Sequence, residues 1–197
     1  MTKLTPHFSL EEFCASQTAA RLSIDNDLPL ELREAAIKTC LGLEQVRVIL
    51  NAHTIHVSSG YRCKAVNDAL GSKDTSQHRT AEAVDFTCPT FASPRRIVQV
   101  LRDSELMFDQ LIAEYGAWVH ISFTDTPRRA VLVVPIHALM EVTLAALAVM
   151  CQQQAPQEIH PQATTLRLGV GVALAAMLLG ETQALLGRRA GVLLQGP

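Results

Sequence analysis

Two short segments alternate apolar and polar residues, AVDFTC (83–88) and WVHISF (118–123). Successive side chains of a β-strand point to opposite faces. Val84 and Phe86 in the first segment, and Val119, Ile121 and Phe123 in the second, therefore point to a core. Asp85, Trp118, His120 and Ser122 fall on the other face. The pattern calls for a sheet with one face packed and the other open to polar groups.

The rest of the chain supplies the cover. Ser9-Leu10-Glu11-Glu12 reads as a capping box with Ser9 at the N-cap, opening a short helix. Pro29 opens a longer helix, PLELREAAIKTCLGLEQVRVILN, in which Leu32, Ala36, Ile37, Cys40, Leu43 and Val46 recur at helical spacing. TIHVSS (54–59) alternates and is rich in β-branched residues, so it reads as a strand. KAVNDAL (64–70) reads as a short helix stopped by Gly71. Pro94 starts a helix through RRIVQVLRDS. DQLIAEY (109–115) meets WVHISF across Gly116-Ala117, a hairpin signal, and AVLVV (130–134) closes the series. Helices followed by strands interleaved with helices predict an α+β domain over residues 1–134, its sheet mainly antiparallel with helices on one face. At 197 residues and 48% apolar, the chain is long enough for one well-buried core.

From Pro135 the composition changes. Residues 135–197 contain no aromatic, no Lys and no Asp, and two apolar runs flank a Gln/Pro-rich link, CQQQAPQEIHPQ. Each run is shorter than the roughly 20 residues that span a bilayer, and Glu141 interrupts the first. The expectation is an apolar, helical C-terminal extension of unassigned role, with membrane association through 135–197 as the less favoured alternative.

Charge and cysteines narrow the function. A net charge of −2 offers no electrostatic case for nucleic acid or for an anionic membrane surface. Cys14, Cys40, Cys63, Cys88 and Cys151 are odd in number, widely spaced and form no C-x-x-C, which argues against a disulfide framework or a thiolate zinc cluster. The N-terminus, MTKLTPHFSLEEF, has no apolar core of a secretory signal, so synthesis in the cytoplasm is expected.

Against that background the polar residues of 59–86 stand out. His78 precedes Asp85 by seven residues in the loop feeding that strand, and Asp85 and His120 share the polar type of face. Two imidazoles and one carboxylate form a three-ligand set of the sort catalytic zinc sites use, with the fourth position left for water. A non-haem iron triad uses the same residue types, so both metals remain open on this ground.

The segments S-G-Y-R (59–62), S-x-H (76–78), A-V-D (83–85) and W-V-H (118–120) resemble, in order and spacing, the M15 family of zinc peptidases. These are D-alanyl-D-alanine carboxypeptidases and related phage endolysins, which share a fold with hedgehog signalling domains. FSLEEF is similar to that family's N-terminal edge, and the resemblance covers residues 7–134. It implies Zn2+ held by His78, Asp85 and His120. It further implies that Arg62 binds the substrate's carboxylate or developing oxyanion, and that Ser76 contacts the substrate backbone. Gln77 and Asn67 are candidates for supporting polar groups, and Ser59 and Tyr61 shape the loop.

Two departures bear on catalysis. Many family members carry Glu three residues before the last His ligand, where this chain has Ala117. Glu114 lies six residues before His120, the arrangement of the hedgehog branch and of shorter phage-type relatives. A two-residue turn at Gly116-Ala117 would pair Glu114 with Val119 and turn it from the metal. A three-residue connection would place it beside Trp118 on the His120 face, and this is the expected arrangement, with Glu114 as general base. The family's H-x-x-G-x-A-x-D has Gly where this chain has Ala81, which would strain a left-handed backbone by about 1 kcal/mol or more. The resemblance thus implies a zinc peptidase cutting stem peptides of peptidoglycan. The alternative is a zinc-binding structural or wall-binding module of phage origin with weak or no catalysis. As a phage lysis protein it would reach the wall through a separate pore.

Overall fold

Ser9 caps α1 (Leu10–Cys14), its hydroxyl accepting from the Glu12 N–H. Ser16 does the same for α2 (Gln17–Leu22), accepting from Ala19 N–H. This six-residue helix is too short for an apolar repeat to announce it, and sequence patterning misses it. The structure is a computed structural model and describes residues 1–136. The C-terminal extension lies almost wholly outside them. No helix among the described residues is long and apolar enough to cross a membrane.

The long helix begins later than Pro29. A 3-10 turn at Leu30–Leu32 leads into α3 (Arg33–Ile49). Ala36, Cys40, Leu43 and Val46 are fully buried along one stripe of α3, as their spacing requires. There follow β1 (His56–Ser59), α4 (Lys64–Ala69), β2 (Ala83–Thr87), α5 (Pro94–Arg102), β3 (Gln110–Glu114), β4 (Trp118–Ser122) and β5 (Ala130–Val134). Gly71, at φ 64, ends the α4 segment in the left-handed region that glycine adopts freely.

The five strands form one sheet in the order β1-β2-β4-β3-β5. Its apolar face carries Val84, Phe86, Leu111, Ala113, Val119 and Ile121, all fully buried. It joins one core with the α3 stripe and with Ile97, Val98 and Leu101 of α5. The α+β class holds. The sheet is mixed, however: β1–β2, β2–β4 and β3–β4 are antiparallel, and β3–β5 is parallel. The reason is where β4 ends. Ser122 lies at the start of β3, where its carbonyl accepts the Asp109 N–H. The link 123–129 then passes the end of one strand, and β5 runs in the direction of β3 without a helical crossover.

Candidate metal centre and cleft

The register decides what meets on the polar face. Asp85 of β2 lies directly opposite His120 of β4, and His120 lies opposite Ile112 of β3. Ser59 of β1 pairs with Asp85 across a bulge. His78 comes from the irregular loop between α4 and β2, and its position is held from two sides. Its Nδ1–H donates to the Gly60 carbonyl at 2.7 Å, and its own carbonyl accepts the Arg62 N–H at 3.1 Å. A protonated Nδ1 leaves the Nε2 lone pair free, the tautomer a metal ligand needs.

That Nε2 lies 3.2 Å from His120 Nδ1 and 3.2 Å from Asp85 Oδ1, while His120 Nδ1 and Asp85 Oδ1 are 2.8 Å apart. All three residues are buried. A tetrahedral zinc ion with ligands at about 2.0–2.1 Å has donor–donor edges of roughly 3.3 Å. The observed triangle needs to open by only a few tenths of an ångström, so the residues fit a zinc ion. The triangle also suits one face of an octahedron.

Electrostatics favour the same use. Burial pushes the His78 imidazole below its ordinary pKa, against an upward pull from Asp85, which favours the neutral, ligating form. Burial alone would push the Asp85 carboxyl up. The adjacent His78 and His120 imidazoles outweigh it and hold Asp85 far below the usual carboxylate range. An anionic carboxylate beside a neutral imidazole is the protonation state that binds a cation.

Arg62 lines the cleft and is anchored there by two groups of the polar face. Its Nη2 donates to Asp85 Oδ2 at 2.5 Å and its Nε to Ser59 Oγ at 2.9 Å, and the side chain is largely buried. It therefore grips the outer oxygen of the carboxylate whose inner oxygen faces the histidines. Of the five guanidinium N–H groups, three have no protein partner among the described residues. They remain free for an anionic group in the cleft.

Glu114 pairs with Trp118 across a three-residue connection, Tyr115-Gly116-Ala117, closed by an Ala117 N–H to Glu114 carbonyl bond of 2.9 Å. Tyr115 (φ 53) and Gly116 (φ 69) both have the positive φ of the central residues of a type I′ turn, which leaves Ala117 as an extra residue before Trp118. Glu114 thus sits on the His120 face and diagonal to His120, a relation of about 7–8 Å between backbones that a long side chain can span. Burial, and then the negative charge of Asp85, push its carboxyl above the ordinary value, against smaller downward pulls from His120, Trp118 and Arg62. Trp118 Nε1 is buried without a formed hydrogen bond, close enough to Glu114 to pull on it but outside bonding geometry.

A cleft of about 240 Å³ joins these groups, lined by Arg62, Ser76, His78, Asp85, Glu114 and His120, together with Ser72, Gln110 and Ile112. The cleft thus brings together Arg62, Ser76, His78, Asp85, Glu114 and His120, whereas Asn67 turns to the Ser72 and Lys73 carbonyls and Gln77 to Asp109, outside its lining. Gln110 and Ile112 were legible as members of the Glu114 face through the two-residue period. The Gly60 carbonyl, Ser72 and the Ser59–Arg62 bond had no local signal. Ala81 has φ 59 and is fully buried, so the left-handed strain expected of it is present.

A family model described as Peptidase M15 matches residues 6–122. No curated protein matches the chain.

Proposed function

The chain belongs to the Peptidase M15 family, and from that premise we propose that it is a zinc-dependent hydrolase of peptide bonds in peptidoglycan stem peptides. The observation that carries this reading is the buried His78–Asp85–His120 triangle opening into the same cleft as Glu114 and Arg62. When bound, zinc lowers the pKa of water toward neutrality and polarises a carbonyl oxygen.

The chain's own residues supply the rest. Glu114 accepts the proton of the attacking water and passes it to the leaving amine, and its raised pKa brings it nearer the neutral range where one group serves as base and then acid. Arg62, anchored on Asp85 and Ser59, turns its remaining N–H groups to the substrate carboxylate or to the oxyanion that develops at the scissile carbonyl. Ser76 at the cleft wall bonds the substrate backbone. Burial favours the neutral form of His78, and Asp85 stays ionised.

The decisive experiment is Glu114→Gln, assayed by mass spectrometry of peptides released from purified peptidoglycan. Loss of a general base lowers turnover by about 10²–10⁴-fold, while zinc stoichiometry stays at that of the wild type. Full turnover in Glu114→Gln would remove Glu114 from the mechanism. The identity of the released peptides separates carboxypeptidase from endopeptidase action, and metal analysis of protein purified without added metal separates zinc from iron. One observation favours a second reading, a zinc-containing module with weak catalysis: the strained Ala81 lies three residues from His78. Stoichiometric zinc with no released peptide would select it.

A further inference from the structure

A buried carboxylate outside the metal triangle takes part in none of these steps. Asp109 is 2% exposed and immediately precedes β3. Its backbone is locked into the end of the sheet, the N–H donating to Ser122 of β4 at 2.8 Å and the carbonyl accepting from Ala130 of β5 at 2.9 Å. Arg128 donates to Oδ1 through its backbone N–H (3.1 Å) and Nε (2.7 Å), and to Oδ2 through Nη2 (2.6 Å). One donor comes from elsewhere: Gln77 Nε2 reaches Oδ2 at 2.9 Å across 32 positions of sequence.

Gln77 directly precedes His78 in a loop without regular structure. Its side chain makes one hydrogen bond among the described residues, and that bond goes to Asp109. Its carbonyl accepts from the Glu82 N–H at 3.0 Å and the Thr80 hydroxyl at 3.1 Å, so it organises the turn over residues 77–82. The same sheet that fixes Asp109 carries Asp85 and His120. A tie from Gln77 to Asp109 therefore sets the loop-borne ligand against the two strand-borne ligands. We propose that Asp109 is a positioning residue that, through Gln77, fixes the loop presenting Ser76 to the cleft and His78 to the metal. The inference rests on the metal-site reading above and deepens it.

The test uses Co2+ as the probe on the full chain after chelator treatment, reading affinity by competition and ligand geometry by the visible spectrum of the bound ion. Gln77→Ala leaves the Asp109–Arg128 pair intact. Its metal-free melting temperature falls by only about 2–8 °C, the scale of one lost hydrogen bond, and the chain stays folded. Its Co2+ affinity falls roughly tenfold or more, as loss of an outer support does, and its spectrum changes. Gln77→Glu, which sets a second negative charge against Asp109, weakens Co2+ further. Asp109→Asn combined with Gln77→Ala costs no more affinity than the more damaging single change, because both act through one bond. If Asp109→Asn does not fold, Gln77→Ala alone decides. Wild-type Co2+ affinity and spectrum in Gln77→Ala overturns the inference. A wild-type chain that binds no Co2+ overturns the metal reading and this inference together.

Discussion

Gly60 is where packing and the candidate metal centre share one peptide. A Cβ placed on it would stand 2.3 Å from the Phe13 carbonyl oxygen and 2.8 Å and 2.9 Å from atoms of the Phe13 ring. A carbon–oxygen contact tolerates no less than roughly 3.3 Å, so Gly60→Ala must drive the segments apart by about 1 Å. The Phe13 carbonyl also accepts the Tyr61 N–H at 2.9 Å, and the Gly60 carbonyl accepts His78 Nδ1–H at 2.7 Å. Overpacking of this kind costs about 1–3 kcal/mol, and one stretched hydrogen bond adds about 1 kcal/mol. For a chain of this size, the resulting loss of about 2–4 kcal/mol lowers the melting temperature by roughly 4–16 °C. Moving the acceptor that orients His78 lowers zinc affinity about 10–100-fold. Thermal unfolding in excess chelator and zinc competition against a chromophoric chelator read the two effects separately. Gly71→Ala is the control. Its φ is 64 but nothing lies within 4 Å of the added Cβ, so it loses only about 1 kcal/mol and keeps wild-type zinc affinity. A Gly60→Ala protein with wild-type melting and wild-type zinc binding would refute the reasoning.

Asp109 supplies a pH dependence whose sign follows from its partners. The Arg128 guanidinium, acting against burial, lowers its carboxyl from 3.8 to about 2. The corresponding stability is fully present above the unfolded value and is lost as pH falls through about 2. It amounts to about 2 kcal/mol. Denaturant titrations should therefore show the gap between wild type and Asp109→Asn narrowing by that amount from pH 5 to pH 2; a constant gap sinks the assignment. Ala81→Gly relieves about 1–2 kcal/mol of left-handed strain but removes a buried methyl worth about 0.8 kcal/mol. Its unfolding free energy stays within about 1 kcal/mol of wild type, and a loss above roughly twice that would show packing to dominate. Zinc at a hundredfold excess over its dissociation constant stabilises the folded chain by about 2.7 kcal/mol. Calorimetry with and without chelator checks this, and an unchanged melting temperature would dismiss the site.

Much of the site was legible because it is written in short-range periods. The two-residue alternation of AVDFTC and WVHISF put Asp85 and His120 on one face, and the register then set them directly opposite. The helical repeat of α3 marked the residues that cover the other face. Glu114 was a harder case. Gly116-Ala117 permits a two- or a three-residue turn, and the two choices place Glu114 on opposite faces. Pairing with β4 on one side and β5 on the other holds β3 in the register that selects Glu114↔Trp118.

The sequence by itself determined the residue types, the strand faces and the caps, because each depends on neighbours within a few positions. It also determined the cost at Ala81, because the mismatch of an Ala with a left-handed backbone is local. Only the tertiary structure decided that Gly60 lends its carbonyl to His78 across 18 positions, that Arg62 grips Asp85 across 23, and that Gln77 reaches Asp109 across 32. It likewise decided that β5 runs parallel to β3. Such contacts depend on where strands end and how the sheet stacks on its helices. No local period encodes them, since the free energy that selects them is shared over the whole core.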